Sequence, residues 1–162
     1  MKKILASVGL SLALALPAVA ADLVPWGQAG DWSILTDPDQ KNACLVQTTY
    51  SDGTILRIGS LKKEEKAYMS SFNPAWVNAK MGKVFPVAFK LDDDLFAGEA
   101  KGVKLGDIPG AEIRFESLDF LLDLAKKHTM TIFVDDVQIV ELSLDGSLEA
   151  IQQGLACQAE NM

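Results

Sequence analysis

The sequence predicts an α+β fold, a twisted antiparallel sheet covered on one face by two helices and tied by one disulfide. Three observations carry that expectation. Short segments of alternating or β-branched character fill most of the chain, bounded by Gly, Pro, Asn and Asp. Two later stretches change to a helical period. Two cysteines stand near opposite ends, at Cys44 and Cys157. With 162 residues, 49% hydrophobic and 23% charged, the chain has the make-up of one folded domain rather than a disordered spacer. The excess of 22 Asp+Glu over 15 Lys+Arg argues against nucleic acid and anionic membrane surfaces as partners.

Residues 1–20 read as a secretory signal peptide. Lys2 and Lys3 form the basic start, and residues 4–16 are uncharged and rich in Leu and Ala. Pro17 ends the run, and Ala18-Val19-Ala20 gives the small-x-small pattern of a cleavage site. Cleavage is expected between Ala20 and Ala21, leaving a single domain over 21–162. The apolar run falls short of the roughly 20 residues a membrane helix needs, so no transmembrane segment is expected. Removing Lys2 and Lys3 takes the net charge from −7 to −9. The leader has a bacterial look, which points to the periplasm or the medium.

Export changes the meaning of the cysteines. In an oxidising compartment the simplest arithmetic pairs Cys44 with Cys157. Two buried free thiols or a redox pair are the alternatives, although no C-x-x-C spacing is present.

The elements follow in order. Residues 32–35 are a strand ended by Asp37-Pro38-Asp39. Residues 43–50 and 54–60 form a hairpin about Ser51-Asp52-Gly53, with Asp-Gly suited to a two-residue turn. That pairing puts Cys44 and Val46 on one side, with Leu45, Leu56 and Ile58 on the other. Residues 62–66 are a charged loop or strand tip. Residues 67–72 are a strand stopped by Asn73-Pro74. Residues 84–91 alternate, with Val87, Phe89 and Leu91 on one face. The chain turns at Asp92-Asp93-Asp94 and returns over 95–101, and the glycines between 98 and 110 punctuate it. Over 117–127, Leu118, Leu121, Leu122 and Ala125 make a helical stripe with Ser117 as N-cap, and Lys126, Lys127 and His128 suit its C-terminal end. A second hairpin turns at Asp135-Asp136, placing Met130, Ile132 and Val134 with Val137 and Ile139. The last helix buries Leu148, Ile151 and Leu155, starts at Asp145 or Ser147, and carries Cys157.

No constellation in this chain specifies catalysis. His128 is the one histidine, so a Ser-His-Asp arrangement is formal only, and no G-x-S-x-G accompanies it. As a metal ligand it lacks a second nitrogen or sulfur partner. Asp92-Asp93-Asp94 offers oxygen ligands for calcium without the spacing of a calcium loop, and a solvated turn fits better. Asp37-x-Asp39 begins such a loop, and Lys41 breaks it. Ser60-Leu61-Lys62-Lys63 satisfies S-x-x-K without its companion motifs. No cofactor motif is found. Trp32 belongs in the core, whereas Trp76, just after Asn73-Pro74, is either a core residue or a contact residue.

Gly30-Asp31-Trp32 near the mature start, Cys44-Leu45-Val46 in a strand, and Leu142-Ser143-Leu144-Asp145-Gly146-Ser147 leading to a helix with Ala150 form a recognisable layout. It resembles small exported proteins of Gram-negative bacteria of the invasion-associated locus B type. This chain lacks that family's mid-chain cysteine segment, and its second cysteine is Cys157. The resemblance implies an envelope or secreted role with contact to a host or surface partner, and supplies no catalytic residues. The expected function is a non-catalytic, acidic protein-interaction module that binds another envelope or host-surface protein, a basic one. The alternative is a small hydrolase or ligand-binding protein with a carboxylate-based site.

Overall fold

The computed structural model describes residues 22–61 and 66–161. Its strands are β1 (Val24–Ala29), β2 (Trp32–Asp37), β3 (Ala43–Thr49), β4 (Ile55–Leu61), β5 (Lys66–Phe72), β6 (Val84–Leu91), β7 (Asp94–Leu105), β8 (Ile108–Phe115), β9 (Thr129–Val134) and β10 (Val137–Ser143). Helix α1 (Asp119–Leu124) precedes β9, and α2 (Ser147–Glu160) ends the chain. All ten strands belong to one antiparallel sheet, in the order β1-β2-β3-β4-β5-β8-β7-β6-β9-β10. The expected signal peptide and the Ala20–Ala21 cleavage site lie outside the described residues, as do Lys62 and Lys63.

The α+β expectation is therefore corrected. The sheet dominates, and helix is confined to two short elements. Three of the four glycines taken as punctuation lie inside strands: Gly98 and Gly102 in β7, Gly110 in β8. Strand glycines are tolerated where another group crowds the backbone. A Cβ at Gly110 would meet the Phe72 ring, and one at Gly102 would meet the Lys80 carbonyl. The turn between these strands is Gly106-Asp107, with Gly106 at φ +56°. The helix expected over 117–127 shortens to six residues, with the Ser117 hydroxyl accepting from the Asp119 amide at 3.0 Å.

Two hairpins show how a single residue decides which face is buried. Tyr50 and Thr54 close a three-residue loop: the Tyr50 amide donates to the Thr54 carbonyl (2.8 Å) and the Gly53 amide to the Tyr50 carbonyl (3.0 Å), with Gly53 at φ +84°. A three-residue loop flips side-chain parity relative to a two-residue one. Val46 consequently pairs with Ile58 and Thr48 with Leu56, placing Leu56 and Ile58 on the Cys44–Val46 face and correcting the expected arrangement. The second hairpin does turn at Asp135-Asp136, both at positive φ. Val137 pairs with Val134 as expected, but a register shift between Gln138 and Val140 then brings Val140, rather than Ile139, opposite Ile132, and Leu142 opposite Met130.

The sheet curls around one core. Trp32, Ile34, Val46, Ile58, Met69, Phe89, Ile113, Met130 and Leu142 belong to the same buried cluster. At its far end the sheet returns to its start: the Tyr50 hydroxyl donates to the Ser143 carbonyl at 2.6 Å, and Trp32 Nε1 to the Asp145 carbonyl at 2.9 Å. Helix α2 lies against β1–β4 and touches α1. Its buried residues include Ala150, Ile151 and Cys157, whereas Leu148 is exposed, which corrects the expected stripe. Cys44 and Cys157 form the disulfide, with Cα atoms 6.0 Å apart. Beside it, Gln158 Oε1 accepts from the Cys44 amide (2.9 Å) and the Ser60 hydroxyl (3.1 Å). No described helix is long and apolar enough to cross a membrane.

Candidate functional site

Residues 73–83 cross from β5 to β6 as a strap fixed at both ends. At the start, the Asn73 amide donates to the Pro109 carbonyl (3.0 Å), Asn73 Nδ2 donates to Thr54 Oγ1 (2.7 Å), and Asn73 Oδ1 accepts from the Ala75 amide (2.7 Å). At the finish, the Gly82 amide donates to the Gly102 carbonyl and the Gly102 amide to the Lys83 carbonyl, each at 2.9 Å. The missing side chain at Gly102 lets the strap backbone settle on β7.

Beneath the strap is a cavity of about 350 Å³. Its floor is the cross-strand row Met69–Ile113–Ala100, with Val87 from β6 and Ile132 and Val134 from β9. Trp76 is half-buried and lines the strap side, so the residue expected as a core or contact group sits at the cavity. Two polar groups stand out in this apolar lining. The Ser71 hydroxyl is buried, with the residue 3% exposed, and has no hydrogen-bond partner. Lys80, on the strap, holds its Nζ 5.9 Å from the Phe85 ring centroid.

A second, polar concavity of about 500 Å³ lies on the opposite face of the sheet. Through it runs the register row Arg57–Ser70–Glu112, which Gln47 continues on β3. Arg57 Nε donates to Gln47 Oε1 (2.7 Å), Ser70 Oγ to Glu112 Oε2 (3.2 Å), and Arg114 Nε to Glu112 Oε1 (2.8 Å). The Tyr68 ring covers Gly59, where a Cβ would collide with it. Burial, and secondarily Glu112, pushes the Tyr68 phenol above its ordinary range. Burial also lowers the Arg57 pKa. Carboxylates do gather here, but Glu112 is held by Ser70 and Arg114, and Asp37 accepts from the Asp39 and Gln40 amides as the cap of a single 3₁₀ turn.

The groups considered for chemistry are dispersed. Asp92 Oδ1 accepts from the amides of His128 (2.9 Å) and Thr129 (3.0 Å), Asp94 pairs with Lys127 at 2.6 Å, and Asp93 faces Lys90 at 3.8 Å. The three carboxylates thus point to three different partners, and no group of metal-ligating side chains is found among the described residues. His128 is exposed, with Nδ1 3.7 Å from Asp145 Oδ1. Ser60 is buried against Gln158.

The sheet does not close, because β1 and β10 have no strand partner on their outer sides among the described residues. The β1 edge carries Pro25, which has no amide hydrogen, and a register shift between Pro25 and Gly27. Trp26 is 38% exposed there, and its Nε1 donates to Glu160 Oε2 at 3.2 Å. The β10 edge is more open, with Val137 61% and Ile139 40% exposed. Asp135, Asp136, Glu141 and Asp145 are exposed along the same strand and its ends.

Sequence reasoning named Trp76 and missed both concavities. The apolar cavity needs a strap folded over side chains from several strands, and alternation along one strand does not report that. The polar row carried a weak signal, since Gln47, Arg57, Ser70 and Glu112 interrupt hydrophobic strands at the spacing of a second, wetter face.

No protein-family model matches the chain, and no curated protein matches it. Among solved structures, the crystal structure of invasion associated protein B from Bartonella henselae superposes with a TM-score of 0.60 at 15% identity, covering 82% of this chain and 97% of that one. At that identity the likeness shows a shared fold.

Proposed function

We propose that this chain is an exported, non-catalytic protein of the bacterial envelope or medium, processed at Ala20–Ala21 and folded as one domain over 21–162. It acts as an acidic interaction module and takes an extended basic segment of an envelope or host-surface protein along the free edge of β10. The observation that carries this reading is that edge: a strand with no partner on its outer side among the described residues, with exposed Val137 and Ile139, bordered by Asp135, Asp136, Glu141 and Asp145. Main-chain pairing to an exposed edge supplies affinity, and side chains beside it supply selectivity. The carboxylates repel a second copy of this acidic chain and favour a cationic partner. The fold shared with an invasion associated protein and the Cys44–Cys157 bridge support the exported, non-catalytic part. Against the hydrolase alternative, the carboxylates of the polar concavity whose partners are described serve the sheet itself.

The test is affinity capture from a native envelope extract with the disulfide-intact chain as bait, at low and at high salt. The expected result is one enriched basic protein that high salt releases, and that the variant Asp135→Lys/Asp136→Lys/Glu141→Lys no longer captures. Capture indifferent to both salt and charge reversal would sink the proposal.

A further inference from the structure

The geometry points to a binding site for a single-chain carboxylate amphiphile, of the fatty-acid kind, in the cavity beneath residues 73–83. Ile139 of β10 lines the rim of this cavity, but the site does not depend on pairing along the β10 edge. A volume of about 350 Å³ falls within the range of small-molecule sites. Its lining is mostly apolar and half open to solvent, so an occupant that covers it with hydrocarbon is favoured.

Ser71, Asn78 and Lys80 are the polar residues beside Trp76 in a lining otherwise apolar. Ser71, Ala111 and Gly102 form one cross-strand row, and the Lys80–Met81 backbone rests on Gly102 at the end of that row. The next row on the same face, Met69–Ile113–Ala100–Phe85, is apolar, and Lys80 Nζ lies over its Phe85 end. The occupant must therefore carry a polar group for Ser71 and Lys80 and be apolar along the rest of its length. Its sign follows from the lining, which contains Lys80 and no Asp or Glu among the described residues. A carboxylate satisfies both groups, accepting from the buried Ser71 hydroxyl and meeting the Lys80 ammonium. Trp76 then closes over the hydrocarbon. Between its two anchors the strap is held by local turns, such as the Trp76 amide to the Asn73 carbonyl at 3.1 Å.

The test is isothermal titration calorimetry of the processed, disulfide-intact chain with decanoate below its micelle concentration. Decanol and decyltrimethylammonium serve as head-group controls. Decanoate is expected to bind saturably at one site, about tenfold more tightly than either control, as one charge-assisted hydrogen bond would give. Ser71→Ala and Lys80→Gln should each bring decanoate down to the affinity of decanol. Ala111→Phe, which fills the cavity, should abolish binding, and Ala111→Leu provides a milder plug if the larger variant does not fold. Absence of saturable decanoate binding overturns the site, as does binding unchanged in a folded plug variant. Equal affinity for decanol, with Lys80→Gln neutral, overturns the carboxylate assignment.

Discussion

The indole Nε1 of Trp32 donates to the main-chain carbonyl of Asp145, 2.9 Å away and 113 positions along the chain. This joins the two segments that stood out in the sequence, Gly30-Asp31-Trp32 and the run ending Asp145-Gly146-Ser147. Gly146, at φ +78°, passes the indole where a Cβ would lie 3.4 Å from Trp32 Cδ1. Trp32 itself is 2% exposed. Trp32→Phe keeps much of the apolar bulk but removes the donor, and should destabilise by about 1–3 kcal/mol. Trp26→Phe, at an exposed hydrogen bond, should stay within about 0.5 kcal/mol. Urea unfolding of both variants checks the contrast, and equal effects would refute it.

The Cys44–Cys157 bridge closes a loop of the same 113-residue separation and pins α2 to β3. A closed loop of that length stabilises by roughly 4–5 kcal/mol in the chain-entropy picture, which is an upper estimate. Unfolding with and without reductant should differ by an amount approaching that figure, and Cys44→Ala/Cys157→Ala should match the reduced protein. Reduced and oxidised chains unfolding at one denaturant concentration would contradict the stapling role.

Asp92 organises the start of β9 through its carboxylate. The amides of His128 and then Thr129 hold its pKa below the ordinary carboxylate value. The unfolded-state pKa is then the higher of the two, near 3.9. The contribution is fully present above that value and is lost as pH falls through the lower, folded pKa. Acid titration of stability should therefore show a loss beginning below about pH 4. Asp52 adds to the same loss, its pKa lowered chiefly by the Thr54 amide. Asp92→Asn should be less stable at neutral pH and show a shallower acid slope. A variant with the slope of the parent would remove Asp92 from this role.

Much of the sheet was legible because β-branched runs and their turns are local signals. The β3–β4 and β9–β10 hairpins and the Asp92 turn can all be found that way, while the disulfide follows from the count of two cysteines in an exported chain. Register was not legible, because one residue in a loop reverses a face. The choice between two and three residues at Ser51-Asp52-Gly53 decided where Leu56 and Ile58 point. The register shift at Ile139 did the same for β10. The fold class failed at the glycines of β7 and β8, whose reason is a neighbour distant in sequence. The cavity shares that cause: Lys80 and Gly102 meet only once β6 and β7 have folded back between them.

Gly102 is accordingly where the strap is most exposed to a single change. Its backbone exchanges hydrogen bonds with Gly82 and Lys83, and the Lys80 carbonyl occupies the space a side chain would need. Since the obstacle is backbone held on both sides, it cannot give way as a flexible side-chain tip would. Gly102→Ala should force the strap off β7, at about 1–3 kcal/mol of stability from overpacking. The loss should be local, with faster amide exchange at Gly82 and at Gly102's own position while the β3–β4 hairpin keeps its protection. The Trp76 indole should become more accessible to a neutral quencher such as acrylamide. Gly98→Ala, in the same strand with nothing within 4 Å of the added Cβ, is the matched control and should leave both readouts unchanged. Equal exchange and quenching in the two variants would show that the strap is not latched through Gly102.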